Sequence, residues 1–254
     1  LFVIAVDDGP MPQTREHLAI IDLMGLNHGA IALTKTDTVS EERVAEVARE
    51  VEALFSRTTL SGSPCFAVSS ATGNGIADLK AHLTATREGQ PQRTPTGHFR
   101  LAVDRTFHVS GAGLVATGTV FSGTVNVGDT ARVAGKEMDV RIRGLHAQSA
   151  DATSGRAGQR CALNLTGGNL RKDEIARGDW IVAPQTAEPV RKFDALLRLV
   201  ADTTDLPHWT PVHVHLGAGQ TTGRVAVLEG KDVAAGETKL VQLVLDKPLG
   251  AVAG

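Results

Sequence analysis

Thr34-Lys35-Thr36-Asp37 closes an apolar run, and Ser69-Ser70-Ala71 answers it further along the chain. A buried strand that ends in a Lys-x-Asp turn is suited to hold a flat base with two hydrogen-bonding edges. The two oxygens of an Asp carboxylate accept two parallel hydrogen bonds from adjacent N–H groups, as they do from an arginine fork. Guanine presents such a pair at N1 and its exocyclic amine. Adenine does not, because its N1 is itself an acceptor and faces the carboxylate repulsively. The alkyl stem of Lys35 can lie along the face of such a base, and backbone N–H groups near Ser70 and Ala71 can donate to guanine O6. Thr34, Lys35, Asp37, Ser70 and Ala71 read as one half of a guanine-nucleotide site.

The other half is a phosphate loop, Gly-x-x-x-x-Gly-Lys-Ser/Thr, whose backbone N–H groups cradle the phosphates and whose Lys and hydroxyl serve phosphate and Mg²⁺. Gly135-Lys136 is followed by Glu137 and has Thr130 at the first glycine position. Gly230-Lys231 is followed by Asp232 and has Val225 there. Neither pair is a phosphate loop. The chain opens at Leu1, inside the apolar residues 1–6. The expectation is a truncated start, with the phosphate-binding part upstream.

Residues 1–86 alternate strand and helix patterns. Apolar stretches at 1–6, 31–33 and 65–68 read as strands. A helix is expected from Pro12 to a stop at Gly25. Another follows Ser40, an N-cap backed by Glu41 and Glu42, with Val44, Val47, Val51, Leu54 and Phe55 as its apolar face. A third starts at Gly75-Ile76 and runs through Leu83. This rhythm predicts α/β architecture, a parallel sheet with helices on both faces. Ligands of such sheets sit at the carboxyl ends of the strands, where Asp37 and Ser70 fall. Residues 87–97, with two prolines and two glycines, read as a linker.

Beyond the linker the pattern becomes all-β. Strand-sized runs at 99–103, 113–120, 131–133, 140–142, 162–165 and 180–183 predict a closed barrel over 98–186. Runs at 193–200, 212–216, 223–228 and 239–245 predict a second barrel over 187–254. It has too few strands to close, so a truncated end is expected as well.

The chain has 254 residues and a formal net charge of −2, enough length for two or three domains. That charge gives no overall attraction for nucleic acid, so RNA contacts must come from local patches. Cys65 and Cys161 have no metal-ligand spacing and are expected as buried free thiols in a reducing cytoplasm. No apolar run approaches the roughly 20 residues of a membrane span.

Several residues invite chemistry that their setting does not support. Gly111-Ala112-Gly113-Leu114-Val115-Ala116 fits a dinucleotide-binding pattern, but strand-like residues follow it where a helix is needed, so a barrel turn is expected. His213 and His215 share a strand face; without a third ligand other than His208 in a loop, a structural or surface role is expected. His17 has no assigned role. Arg141 and Arg143 share a strand face near Lys136 and His146, and phosphate contact and a solvated face explain them equally well.

A half GTPase domain followed by two β-barrels resembles the translational GTPases of the elongation factor Tu class. The stretch Asp8-Gly9-Pro10-Met11-Pro12-Gln13-Thr14-Arg15-Glu16-His17 is a signature of that class. Within it the chain is most similar to the bacterial selenocysteine-specific elongation factors. Thr34 stands where ordinary members usually have Asn. Phe99 through Phe107 run into Gly111 through Gly118. Leu145-His146-Ala147-Gln148 is joined by Gly158-Gln159-Arg160-Cys161-Ala162-Leu163-Asn164 and Arg177-Gly178-Asp179-Trp180.

This resemblance implies that Lys35 and Asp37 bind guanine of GTP or GDP, with Ser70 and Ala71 closing over O6. It implies a weaker bridge between loops at Thr34, and Mg²⁺ held by residues upstream of the chain. It places Asp104, Arg105 and Arg160 in a pocket for the selenocysteinyl group. A selenol is more acidic than a hydroxyl or thiol and arrives largely as an anion, which two arginines favour over neutral serine. Asp104 would hold a guanidinium or the aminoacyl amine. The implied partners are selenocysteinyl-tRNA, the ribosome and an mRNA hairpin read by a C-terminal extension outside the chain; the implied protein is a cytoplasmic monomer with no membrane partner. The fragment alone is not expected to hydrolyse GTP. Two other readings compete: a general translational GTPase of the elongation factor Tu or initiation-factor type, and a non-enzymatic RNA-binding module with a degenerate nucleotide site. Thr34 and the Asp104-Arg105 pair argue against the first; a phosphate loop upstream would exclude the second.

Overall fold

A computed structural model describes residues 1–89, 95–111, 113–136, 138–167, 170, 174–186 and 189–250. It divides into two units, Leu1–Pro91 and Gln92–Gly254.

The first unit runs β1 (Phe2–Ala5), α1 (Pro12–Leu23), β2 (Ile31–Thr34), α2 (Glu41–Phe55), β3 (Cys65–Ala67) and α3 (Ile76–Gly89). The strands form a parallel sheet in that order, with Ala5 opposite Thr34 and Leu33 opposite Ala67. Proline at N1 opens α1, and α2 starts where the Ser40 hydroxyl accepts from the Arg43 N–H. Residues 47, 51 and 55 of α2 recur at helical spacing and bury Val47, Val51 and Phe55 against Ile4, Leu18, Ile31 and Leu33. Each such side chain contributes on the order of 2 kcal/mol. Ala32 points to the other side of the sheet, where it meets Val68 and Leu79 of α3. Helices therefore cover both faces.

Two expectations need correction here. Helix α3 extends to Gly89 and takes in Arg87 and Glu88, which the sequence had suggested for the linker. Nothing between Leu83 and Gly89 breaks a helix, and the Thr84 and Thr86 hydroxyls bond back to the carbonyls of Lys80 and His82. Linker residues 90–94 lie outside the described residues. Cys65 is exposed, since β3 is the edge strand and begins there; Cys161 is buried, and both thiols are free.

The second unit is all β. Its first part comprises β4 (Arg100–Val109), β5 (Gly113–Ser122), β6 (Thr124–Asn126), β7 (Thr130–Val133), β8 (Met138–Ala147), β9 (Ala150–Ala152), β10 (Ser154–Arg156), β11 (Arg160–Thr166) and β12 (Trp180–Val182). Among the described residues, β11-β5-β4-β12-β7-β8 close into a barrel through the β8–β11 pairing. Strand alternation sends Leu101, Val103, Ala116, Val120, Val133, Ile142, Leu163 and Ile181 inward, all fully buried. The strands outrun the apolar segments that announce them: β8 is ten residues long because outward-facing Arg141 and Arg143 interrupt the apolar run without interrupting the backbone ladder. Gly135-Lys136 lies in the β7–β8 turn, where the Lys136 ammonium donates to Asp179 at 2.7 Å.

The second part comprises β13 (Val190–Arg198), β14 (Leu206–Pro207), β15 (Thr210–Leu216), β16 (Gly219–Val227), β17 (Asp232–Val233) and β18 (Thr238–Leu249). Its main sheet is antiparallel in the order β13-β18-β16-β15, open among the described residues, over a core of Val225, Val227, Val233 and Val241. Trp180, 3% exposed, joins this part to the barrel. Its indole packs with Ala102, Val182 and Leu216 and lies 4.7 Å from the Arg100 guanidinium, which donates to the Gly250 carbonyl.

Candidate functional site

In the first unit, the ends of β2 and β3 bring together the residues that the sequence suggests for a base, with the end of β1 beside them. Lys35 adopts φ 61°, a left-handed conformation rare for a side chain of its size, and caps a short 3₁₀ turn over Thr36–Thr38. That turn brings the Asp37 carboxylate to the loop after β3. The Ser69 hydroxyl, itself buried, donates to Asp37 Oδ1 at 2.5 Å and accepts the Thr72 N–H at 3.1 Å. One carboxylate oxygen is thus fixed, and the exposed Asp37 keeps its other oxygen for a ligand. Ser70 and Ala71 form an exposed turn beside it.

This loop folds tightly because of Gly75. Its φ is 69°, and a Cβ there would stand 2.1 Å from the Ala67 carbonyl oxygen. The Thr34 hydroxyl reaches the Ile4 carbonyl, at 3.5 Å, so the side-chain link between the two loops is carried by Ser69–Asp37 rather than by residue 34, beside the Thr36 N–H to Val68 carbonyl bond. The Lys35 ammonium donates to Asp7 at 2.6 Å. This contact holds the Asp7 carboxyl below its ordinary range and raises the Lys35 ammonium above its own. Asp7 and Ser69 were not picked out by residue type alone. The signal that finds them is topological: β1 and β3 are the two parallel neighbours of β2, so the chain just past β1 must pass Lys35 and the chain just past β3 must pass Asp37.

In the second unit, Asp104, Arg160 and Thr117 form one cluster. Arg160 grips Asp104 through two parallel bonds, Nε to Oδ2 at 3.1 Å and Nη2 to Oδ1 at 2.9 Å. Thr117 donates to Asp104 Oδ1 at 2.8 Å. Burial raises the Asp104 pKa, and the Arg160 fork and the Thr117 hydroxyl more than offset it, so the carboxyl lies below its ordinary range. The β4–β5 register slips between Val103 and Arg105, making Asp104 the extra residue of a bulge. Gly118 permits this: a Cβ there would lie 2.0 Å from the Ala102 carbonyl oxygen. Arg105, next along β4, is exposed. The pair formed is therefore Asp104 with Arg160 and not Asp104 with Arg105. Asp104 and Arg160 balance each other within the cluster, and the exposed Arg105 close to Asp104 gives the neighbourhood a surplus positive charge that suits an anionic group.

The remaining candidates join neither cluster. Arg141 and Arg143 stand on the exposed face of β8. His208 accepts the Val227 N–H through Nδ1, which ties it to the backbone, while His213 and His215 are exposed on β15. Residues 113–116 lie in strand β5, not at a helix start, and Ala112 is outside the described residues. Among the described residues no group of three or more His, Cys, Asp or Glu side chains could hold a metal ion. No described helix is long and apolar enough to cross a membrane.

Comparison with known proteins matches three families in succession. Residues 1–91 match the elongation factor Tu GTP binding domain, 113–182 match elongation factor Tu domain 2, and 193–254 match the beta-barrel domain of selenocysteine-specific elongation factor. The chain is 41% identical to the selenocysteine-specific elongation factor of Escherichia coli strain K12, over 98% of this chain and 38% of that protein. It is 36% identical to that of Desulfomicrobium baculatum, over 100% of this chain and 40% of the relative. A crystal structure of bacterial selenocysteine-specific elongation factor superposes with a TM-score of 0.81 at 27% identity, covering 97% of this chain and 40% of that one. The chain spans about two fifths of the length of these relatives.

Proposed function

The chain belongs to the selenocysteine-specific elongation factors, a branch of the elongation factor Tu-like translational GTPases, and on that premise we propose that it holds the guanine base of GTP or GDP in one unit and the aminoacyl end of selenocysteinyl-tRNA in the other. The whole factor would carry that tRNA to the ribosome, hydrolyse GTP there, and read an mRNA hairpin through a segment outside this chain. It would act as a cytoplasmic monomer.

The observation that carries this reading is the bidentate Asp104–Arg160 pair beside an exposed Arg105. Selenocysteine attached to tRNA presents a selenolate, whereas serine on the same tRNA presents a neutral hydroxyl. A guanidinium already fixed by a carboxylate needs no ordering when the anion arrives, and the second guanidinium supplies the surplus charge. Asp104 is also an acceptor for the aminoacyl amine. A general elongator must accept many side chains and gains nothing from such a pair.

At the nucleotide end, Asp37 accepts from guanine N1–H and its exocyclic amine, the Lys35 stem covers the base, and Ser70 and Ala71 face O6. The acceptor fits a guanine base: one carboxylate oxygen is fixed by Ser69 and the rest of the group is exposed. GTP would supply the bond that the whole factor hydrolyses; no residue of this chain is assigned to Mg²⁺ or to catalysis.

The test is filter binding of the full-length factor to selenocysteinyl-tRNA and to seryl-tRNA on the same tRNA body, with GTP present. A preference of at least about tenfold for the selenium form is expected, equivalent to about 1.4 kcal/mol. Equal binding overturns the selenocysteine reading and leaves a general translational GTPase.

A further inference from the structure

Thr117 stands on the outward side of β5, where barrel residues usually meet water, yet it is only 6% exposed. Its hydroxyl contacts three groups: Asp104 Oδ1 at 2.8 Å, Arg160 Nη2 at 3.3 Å and the Arg105 carbonyl at 3.3 Å. A hydroxyl has one proton and two lone pairs, and a guanidinium cannot accept. Arg160 therefore donates to Thr117. The hydroxyl's single proton goes to Asp104, the nearer of its two acceptors. The chain of bonds runs one way, from guanidinium to hydroxyl to carboxylate, while the guanidinium also grips the carboxylate directly.

The backbone explains how one hydroxyl reaches both partners. Because Asp104 is the extra residue of the bulge, Arg105 and not Asp104 sits opposite Thr117, and the Asp104 side chain approaches the hydroxyl from the side. On the other flank Thr117 faces Ala162, whose methyl group leaves room for the Arg160 side chain arriving from two residues earlier on β11. Without the hydroxyl, Asp104 Oδ1 loses a donor in a half-buried setting and the Arg160 side chain, 56% exposed, is held at Asp104 alone.

We propose that Thr117 is a positioning residue for the aminoacyl site, locking the Asp104–Arg160 pair in one plane so that the guanidinium is ordered before an anionic side chain arrives. The fork uses Nε and Nη2, which leaves Nη1 for the ligand. A flexible arginine would have to be ordered on binding, and that cost would fall on the selenolate, which needs the cation, far more than on the hydroxyl of serine. The proposal rests on the reading that this cluster receives the selenocysteinyl group.

The test uses the full-length factor, wild type and the variants Thr117→Val and Thr117→Ser, against selenocysteinyl-tRNA and seryl-tRNA on one tRNA body. Valine keeps the shape and strand preference and removes the hydroxyl; serine keeps the hydroxyl. The expected result is that the preference for the selenium form falls about tenfold in Thr117→Val, the scale of a lost hydrogen bond to a charged group. It returns to within about threefold of wild type in Thr117→Ser. A purely structural threonine would weaken both tRNAs alike, and serine would not restore their ratio; either that pattern or an unchanged ratio in Thr117→Val overturns the proposal. Should the valine variant fail to fold, Thr117→Ala carries the same comparison. Loss of fold in both assigns Thr117 to the barrel framework and ends the proposal. A wild-type factor without preference overturns the underlying reading itself, and so is distinct from a failure of Thr117 alone.

Discussion

On the proposed reading, base choice in the first unit turns on one carboxylate. Asp37 is an acceptor on both oxygens, with Ser69 already donating to one of them. In Asp37→Asn one of those oxygens becomes an N–H donor, which opposes the guanine amine and matches the carbonyl that xanthine carries in its place. A site built around hydrogen bonds rejects a mismatched partner strongly because buried polar groups are left unpaired. The expected outcome is a swing of roughly 100-fold in the guanine-to-xanthine preference of the full-length factor, by equilibrium competition between the two nucleoside diphosphates. Retained guanine preference would remove Asp37 from base reading. At the same scale, the Lys35–Asp7 contact ties the lysine across to the end of β1. Both groups are exposed, so its worth lies in aiming the lysine stem and not in stability.

Elements differ in how openly the sequence declares them. Helix α2 was legible because cap, acidic first turn and apolar spacing agree. The parallel sheet followed from the alternation of elements, and so did the placement of Asp37 and Ser70 at its carboxyl edge. Strands β6, β9 and β10 were not legible, being three residues each and too short to show an alternation. The bulge at Asp104 was hidden as well, because a register slip depends on the partner strand and leaves no mark on β4 alone. For that reason the distant Arg160 was not readable from β4 as the guanidinium that Asp104 holds, and Thr117 gave no signal beyond being a threonine in a strand. Gly118 is the point at which this element can be broken. In Gly118→Ala the new Cβ collides with backbone of β4, which no rotamer change relieves. The expected cost is about 1–3 kcal/mol, the range for overpacking, read from the denaturation midpoint of the full-length factor. Selenocysteinyl-tRNA binding is expected to fall with it, since the bulge sets Asp104. An unchanged midpoint would show that β4 and β5 part readily there.

The molecule as a whole consists of two units with separate cores, one built around the parallel sheet and one around the barrel and the open sheet behind it. The proposed chemistries divide the same way, nucleotide base in one and aminoacyl group in the other. Within the second unit the barrel and open sheet meet at Trp180, and the fit is close. A Cβ on Gly217 would come within 2.8 Å of the indole and one on Gly250 within 3.1 Å. That closeness has an optical consequence. An indole shielded from water emits at shorter wavelength than a wet one, because no solvent relaxes around its excited dipole. The chain has two tryptophans, and Trp209 is 46% exposed while Trp180 is dry. With Trp209→Phe, the chain carries a single native lamp at the seam between barrel and sheet. Its emission is expected to be blue in the folded state and to redden when Arg100→Ala removes the guanidinium packed on the ring; an emission already red before that change would mean the seam is open in solution.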